Sequence, residues 1–193
     1  MAEQGVERHV LVNNDAPLFE RDPAAWEEHL AEGNRKQPRK RVSADVLVRD
    51  QTGRLLLVDP SYKPDWDLPG GMVELNEPPH LAAHREITEE LGLDIHVGGL
   101  LCVDWVAPHG PWDDLLAFIF DGGQFDAAAL TIQLLDGEIQ AAEFFTVTQA
   151  QQRLRPYVWT RVAAALNALE TGQPTYLYSC DPQNPATTAE EDR

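Results

Sequence analysis

Apolar positions are unevenly spread along this chain. Residues 1–40 are polar and irregular. Within them Asp22-Pro-Ala-Ala-Trp-Glu-Glu-His-Leu-Ala-Glu-Gly33 carries a capping aspartate, an early proline and a stop glycine, which predicts a short helix with Trp26 and Leu30 as its apolar edge. From Val42 the pattern changes. Val42-Ser-Ala-Asp-Val-Leu-Val-Arg49 and Leu55-Leu-Leu-Val-Asp59 are strand-like runs on either side of the hairpin signal Asp50-Gln-Thr-Gly53. Met72–Glu74 predicts a short strand, and a helix follows over residues 78–91. Strands are expected over 94–106, 114–121 and 138–146, then helices over 148–154, capped by Thr148, and 157–171. Trp159, Val162, Ala163, Leu166 and Leu169 form a stripe that reads as core packing. The stretch Asp181–Arg193 is rich in Pro, Thr and Glu and is expected to be disordered. Strands interleaved with helices predict an α/β fold, a sheet sandwiched between helices. The expected organisation is an N-terminal extension over 1–40, one domain over 41–172 and a partly disordered tail over 173–193, with no internal repeats.

The helix at 78–91 carries the chemistry. At about 100° per residue, Glu86, Glu89 and Glu90 fall within about 100° of arc, with Leu81, Ile87 and Leu91 on the other side. That predicts an amphipathic helix whose non-core face is an acidic triangle. Glu77 sits near its start, where Pro78 and Pro79 are tolerated, and Gly92 suits its left-handed end. Arg85 lies four residues before Glu89 and can hold it by a charge-assisted pair. Crowded carboxylates are costly unless a cation binds between them, which points to a divalent metal. Three glutamates alone would read as a solvated face in a chain of formal net charge −17. The complete string is far more specific: Gly71, five residues, Glu77, seven residues, then Arg85-Glu86-Ile87-x-Glu89-Glu90-x-Gly92-Leu93.

This string resembles the signature box of the Nudix hydrolases, without departure from Gly71 to Leu93, and Trp66-Asp-Leu-Pro-Gly70 is similar to the family's lead-in. The resemblance extends over residues 41–146 and fades outside them. It implies a Nudix α/β/α sandwich with a mixed central sheet, an N-terminal helical extension and a C-terminal helix. It also implies a pyrophosphohydrolase that needs Mg2+, with Mn2+ as a substitute, and splits the diphosphate bridge of a nucleoside diphosphate linked to another group. Nucleotide sugars, ADP-ribose, dinucleotides and modified nucleoside triphosphates all qualify. In this reading Glu86, Glu89, Glu90 and the Gly70 carbonyl hold the metal. Arg85 serves catalysis and substrate binding. Glu89, Glu90 and Glu138 are candidates for the general base; Glu138 stands just before a late strand, where some members carry an extra glutamate, and is otherwise a loop carboxylate. A catalytically silent nucleotide-binding or regulatory module is the alternative, against which the intact carboxylate set argues. A related isomerase would need a cysteine context that Cys102 and Cys180 lack.

Outside the box, His109 and Trp112 in the 107–114 loop are candidates to stack on a substrate ring, with Trp66 and Tyr62 as walls of the same cleft or as packing residues. Pro108 stands at the distance from the box seen in ADP-ribose-type members, in a loop where proline is common. Glu143 reads as structural or as the partner of a buried arginine; Asp113, Asp114 and Asp136 read as solvated. The acidic balance argues against nucleic-acid binding. Two cysteines make no disulfide framework or zinc site. With no apolar run of eighteen residues and no signal-peptide pattern, a cytoplasmic protein off the membrane is expected. The basic cluster Lys36–Arg41 is a solvated linker or a phosphate- or dimer-facing patch, and the Trp26/Leu30 arm is a candidate contact for a homodimer.

Overall fold

The computed structural model describes residues 16–135 and 137–179. They divide into two compact units, one ending at Arg39 and one beginning at Lys40. The first contains helices α1 (Leu18–Arg21) and α2 (Pro23–Lys36). The Asp22 carboxylate caps α2 by accepting from the Ala25 amide at 3.0 Å. Gly33 does not stop the helix, as the sequence suggested. It ends at Lys36, because Pro38 forces the residue before it, Gln37, into an extended conformation. Trp26 stacks on His29 and meets Phe19 edge-on, whereas Leu30 is exposed.

The second unit runs β1 (Arg41–Asp50), β2 (Leu55–Pro60), β3 (Gly70–Met72), α3 (Pro79–Leu91), β4 (Leu100–Val106), β5 (Leu115–Phe125), β6 (Ile139–Phe145), α4 (Val147–Arg153), α5 (Pro156–Thr171) and β7 (Thr175–Ser179). The strands form one mixed sheet in the order β6-β2-β1-β5-β4-β7, with β3 also on β1. The β1–β5 and β4–β7 pairs are parallel and the others antiparallel. Side chains alternate across a strand, so each strand feeds two cores. Ala44, Val46, Val48, Leu56 and Val58 pack with Ala82, Ala83, Ile87 and Leu91 of α3. Leu47, Leu55, Leu57, Cys102 and Ile119 pack on the other face with Val158, Val162, Ala165 and Ala168 of α5. Each fully buried Leu or Ile contributes about 1.5–3 kcal/mol. The result is the expected α/β/α arrangement. The β1–β2 hairpin is tied by Asp50, whose carboxylate accepts from the Thr52 amide and hydroxyl and the Arg54 amide, each at 2.8 Å.

Several expected boundaries shift. The strand near the glycine pair is Gly70–Met72 rather than 72–74, because the glycines themselves pair with Asp45 and Ala44 of β1. Residues 94–99 are not strand: the chain turns at Gly98, whose amide bonds the Asp121 carbonyl at 2.7 Å. Thr146, not Thr148, caps α4, in a capping box with Gln149. On α5 the expected stripe holds for Val162 and for Trp159, Leu166 and Leu169, which pack against the core beside buried Val158, Ala165 and Ala168, while Ala163 faces solvent. The stretch 173–193 begins with an ordered edge strand, β7; the disorder expected for Asp181–Arg193 lies outside the described residues, as do Cys180 and Asp136. Cys102 is buried and unbridged, and burial pushes its thiol up to about 12. No described helix is long and apolar enough to cross a membrane.

Candidate active site

Helix α3 is built to present its carboxylates. Pro79 opens it, and Gly92 closes it in the left-handed conformation (φ 65°), its amide bonding the Thr88 carbonyl at 2.9 Å. Ala82, Ala83, Ile87 and Leu91 anchor it to the sheet. The acidic triangle is graded in burial rather than uniformly outward. Glu90 is buried between core-facing neighbours, the Glu86 side chain is 18% exposed and Glu89 56%. Leu81, expected on the core side, is exposed.

Arg85 organises the group. It grips Glu77 with two parallel bonds, adds one bond each to Glu86 (2.9 Å) and Glu89 (3.0 Å), and reaches the Met72 carbonyl at 3.2 Å. The expected Arg85–Glu89 pair is therefore one arm of a larger network. The Glu77 carboxylate also accepts from the Glu74 amide at 2.9 Å, across a loop in which Asn76 takes a left-handed backbone. The bonds from Arg85, then that amide, hold Glu77 at about 2. Glu86 goes the other way: burial pushes its carboxyl above the usual range, against the bonds from Arg85.

Gly70 is sterically required, and a side chain at Gly71 would displace the Glu86 carboxylate. At Gly70 (φ 144°) a Cβ would fall 2.5 Å from the Ala44 carbonyl oxygen, and at Gly71 one would fall 2.6 Å from the Glu86 carboxylate. The Gly70 amide donates to Glu90 at 3.0 Å. The backbone of β3 thus lies directly against Glu86 and Glu90.

Glu138 joins this group. It lines one shallow depression with Arg85, Glu86, Glu89 and Leu135. Hard oxygen donors of this kind suit Mg2+ in type. Among the described residues no three or more His, Cys, Asp or Glu side chains are arranged to hold a metal ion as they stand. The reason is visible in the bonds: Arg85 engages Glu86 and Glu89, and the Gly70 amide engages Glu90. The donor set fits the ion in chemistry, and these side chains must turn to converge on it.

On the other side of the glycine pair opens a cleft of about 450 Å³. Gly70, Gly71 and Met72 line it, together with His109, Trp112, Tyr62 and four cations, Arg41, Lys63, Arg155 and Arg161. Trp112 is exposed and carries the Arg41 guanidinium 4.4 Å above its ring; His109 bonds the Ala107 carbonyl through Nδ1. Trp66 is not in the cleft lining. It packs edge-on against Phe145, 4.8 Å away, in the α5-side core. Asp45 and Asp67 also line the cleft, and burial, then the Asp67 charge, raises the Asp45 carboxyl well above the ordinary range. Asp114 is not free in solvent: it accepts from Lys40 and from the Trp105 indole. Glu143 is exposed on β6, and the buried arginine, Arg161, pairs with Asp104 instead. Of the cleft cations only Arg41 carried a sequence signal, as the end of the basic cluster.

The sequence profile of the NUDIX domain matches residues 39–165. A "MutT-like protein" of Streptomyces ambofaciens is 29% identical over 128 residues, 64% of this chain and 75% of that one. A "Putative 8-oxo-dGTP diphosphatase" of Bacillus subtilis (strain 168) is 47% identical over 49 residues, 25% of this chain and 33% of that one. Among solved structures, a MutT protein from Methanosarcina mazei Go1 superposes with a TM-score of 0.57 at 22% identity, covering 71% of this chain and all of the other.

Proposed function

The chain belongs to the NUDIX domain family, and on that premise we propose that it is a pyrophosphohydrolase which cleaves the diphosphate bridge of a nucleoside diphosphate linked to another group. One observation carries the reading: Arg85, locked by Glu77, bonds both Glu86 and Glu89, Glu86 and Glu90 lie against the Gly70–Gly71 backbone, and Glu138 lines the same depression as Glu86 and Glu89. Glu86, Glu89, Glu90 and the Gly70 carbonyl are the proposed metal ligands. Bound there, Mg2+, or Mn2+ in its place, would offset the diphosphate charge and lower the pKa of a water.

The chain's own residues do the rest. Arg85 keeps the carboxylates oriented and adds positive charge beside the diphosphate. A carboxylate takes the proton of the water that attacks phosphorus; Glu138 is the proposed base, with Glu89 and Glu90 as the others in reach of the same chemistry. The P–O–P bridge opens, and each product leaves with phosphate. Glycine at 70 and 71 lets the backbone meet the carboxylates without a side chain between them. His109 and Trp112, with the Arg41 guanidinium on the Trp112 ring, are proposed to hold the substrate's ring at the cleft mouth.

The proposed domain spans 41–172, widened to Ser179 by β7. A cytoplasmic location and a homodimer through the Phe19, Trp26 and Leu30 edge of the extension are proposed with it; light scattering on a chain lacking residues 1–38 tests the latter, and an unchanged dimer excludes it. For the activity, a panel of nucleotide sugars, ADP-ribose, dinucleotides and nucleoside triphosphates is incubated with and without Mg2+ or Mn2+ and the products are weighed. Metal-dependent release of two phosphate-bearing products is expected. No turnover of any member with either ion would overturn the reading.

A further inference from the structure

The inner end of the cleft holds a cation that the proposed hydrolysis does not use. Arg161 of α5 is only 7% exposed. Its Nε donates to Asp104 Oδ2 at 2.8 Å, and the Ser179 hydroxyl lies 3.0 and 3.1 Å from the two oxygens of that carboxylate. Its guanidinium sits 5.3 Å over the Tyr157 ring. Asp104 from β4 and Ser179 from β7 are buried with it. Three elements therefore converge to fix one arginine from behind.

The other edge of the guanidinium is left open. Among the described residues Arg161 makes no hydrogen bond beyond Asp104, and the one fully enclosed side-chain nitrogen without a partner is Arg49 Nε. The Arg161 Nη groups are thus reachable from the cleft, where Arg161 stands beside Tyr157, Val158 and Val106. The other cleft cations rest on less buried partners: Lys63 pairs with Asp67, Arg155 with Asp65 and the Tyr157 hydroxyl, and Arg41 leans on Trp112 and donates to the Asp113 carbonyl.

Arginine offers donors only, in a planar fork matched to two acceptor oxygens. Charge-assisted pairs with an oxyanion are about twice as strong as bonds to neutral groups. The lining also reverses the chain's balance: four cations face Asp45 and Asp67, in a sequence with 15 Lys and Arg against 32 Asp and Glu. Stability alone does not account for the device, since a buried ion pair is often no better than apolar packing.

We propose that Arg161 is a specificity-determining residue that binds an oxyanion, a phosphate or a carboxylate, carried by the part of the substrate lying in the cleft. Asp104 and Ser179 are its positioning residues. The proposal deepens the diphosphohydrolase reading and rests on it for the identity of the ligand.

The test uses the full chain and a matched set of nucleoside diphosphate esters: a neutral hexose, the corresponding hexuronate and the hexose phosphate. Turnover is measured with Mg2+, and binding by calorimetry on methylene-bridged versions that cannot be cleaved. The wild-type enzyme is expected to favour one oxyanion arm by about tenfold or more in KM, with kcat changed little, the scale of a charged hydrogen bond. Arg161→Met should erase the preference, Arg161→Lys restore part of it, and Ser179→Ala weaken it while retaining the arginine. A wild type indifferent to the oxyanion, or an Arg161→Met enzyme with the preference intact, overturns the proposal. Should Arg161→Met not fold, Arg161→Lys decides in its place, since a preference equal to the wild type's overturns Arg161's role, and an undiminished preference in Ser179→Ala overturns the positioning role. If nothing is cleaved but the methylene analogues bind with oxyanion preference, the hydrolytic reading fails and the subsite stands. Cleavage without preference gives the reverse.

Discussion

Arg85 and Glu77, eight residues apart, are joined by two parallel hydrogen bonds, Nε to Oε1 at 2.9 Å and Nη2 to Oε2 at 3.0 Å. Glu77 belongs to the loop before α3 and Arg85 to the helix itself, so the pair closes the loop onto the helix. It also sets where the remaining guanidinium donors point, toward Glu86 and Glu89.

Glu77→Gln tests that role. The amide can accept only one of the two bonds, so Arg85 loses its fixed orientation while the α3 core stays intact. A loss of about 10–100-fold in kcat/KM is expected, the range seen when a residue supporting a metal ligand is changed. Turnover within twofold of wild type would show that Arg85 is held well enough without Glu77.

Glu90→Gln isolates the buried corner of the acidic group. Glutamine is nearly isosteric and still accepts the Gly70 amide, so the fold should survive. The lost anion removes a proposed metal ligand, and turnover should fall by at least about tenfold at saturating Mg2+. Activity above about a tenth of wild type would remove Glu90 from the ligand set. Glu138→Gln should cost less and should alter the pH–rate profile on its acid side if Glu138 takes the water's proton; an unchanged profile would leave the base to Glu89 or Glu90.

The spacing that identifies the box was legible because it is local: Arg85, Glu86, Glu89 and Glu90 share a few turns of one helix. Burial around that helix was less so. Leu81 and Glu90 differ from expectation because the sheet covers the Ala82–Ala83–Ile87 side, and the β3 backbone, whose Gly70 amide bonds Glu90, covers that carboxylate while Leu81 is left exposed. Trp66 belongs to the α5-side core because Phe145 waits there from β6, a partner no local pattern announces. The Arg161–Asp104–Ser179 group left no trace in the sequence, since Asp104 stands 57 positions from Arg161 and 75 from Ser179. The parallel pairing of β7 with β4 brings Ser179 to Asp104, and the packing of α5 on β4 brings Arg161 there.

β7 therefore should not behave as a dispensable tail. A chain ending at Pro174 loses the strand that covers the β4 edge and the Ser179 hydroxyl on buried Asp104. Leaving a buried carboxylate short of a donor costs about 1–3 kcal/mol, and bare edges invite association. A lower Tm and concentration-dependent aggregation are expected by calorimetry and light scattering. An unchanged Tm would mean that β7 contributes nothing to the fold.

Asp50 gives the acid limb of stability a specific origin. Burial alone would raise its carboxyl, but the bonds from Thr52 and Arg54 overcome it and hold the group at about 2, against an ordinary 3.8. A folded-state value below the unfolded one means that the folded chain binds protons less readily. The stabilisation is therefore complete above about pH 4 and drains away as pH falls toward 2. Asp50→Asn should be less stable than wild type in urea at pH 7, because asparagine cannot accept all four bonds that tie the hairpin. The gap between the two proteins should narrow steadily from pH 4 to pH 2, as wild-type Asp50 takes up its proton. A gap that stays constant across that window would assign the hairpin's stability to shape rather than to the carboxylate's charge.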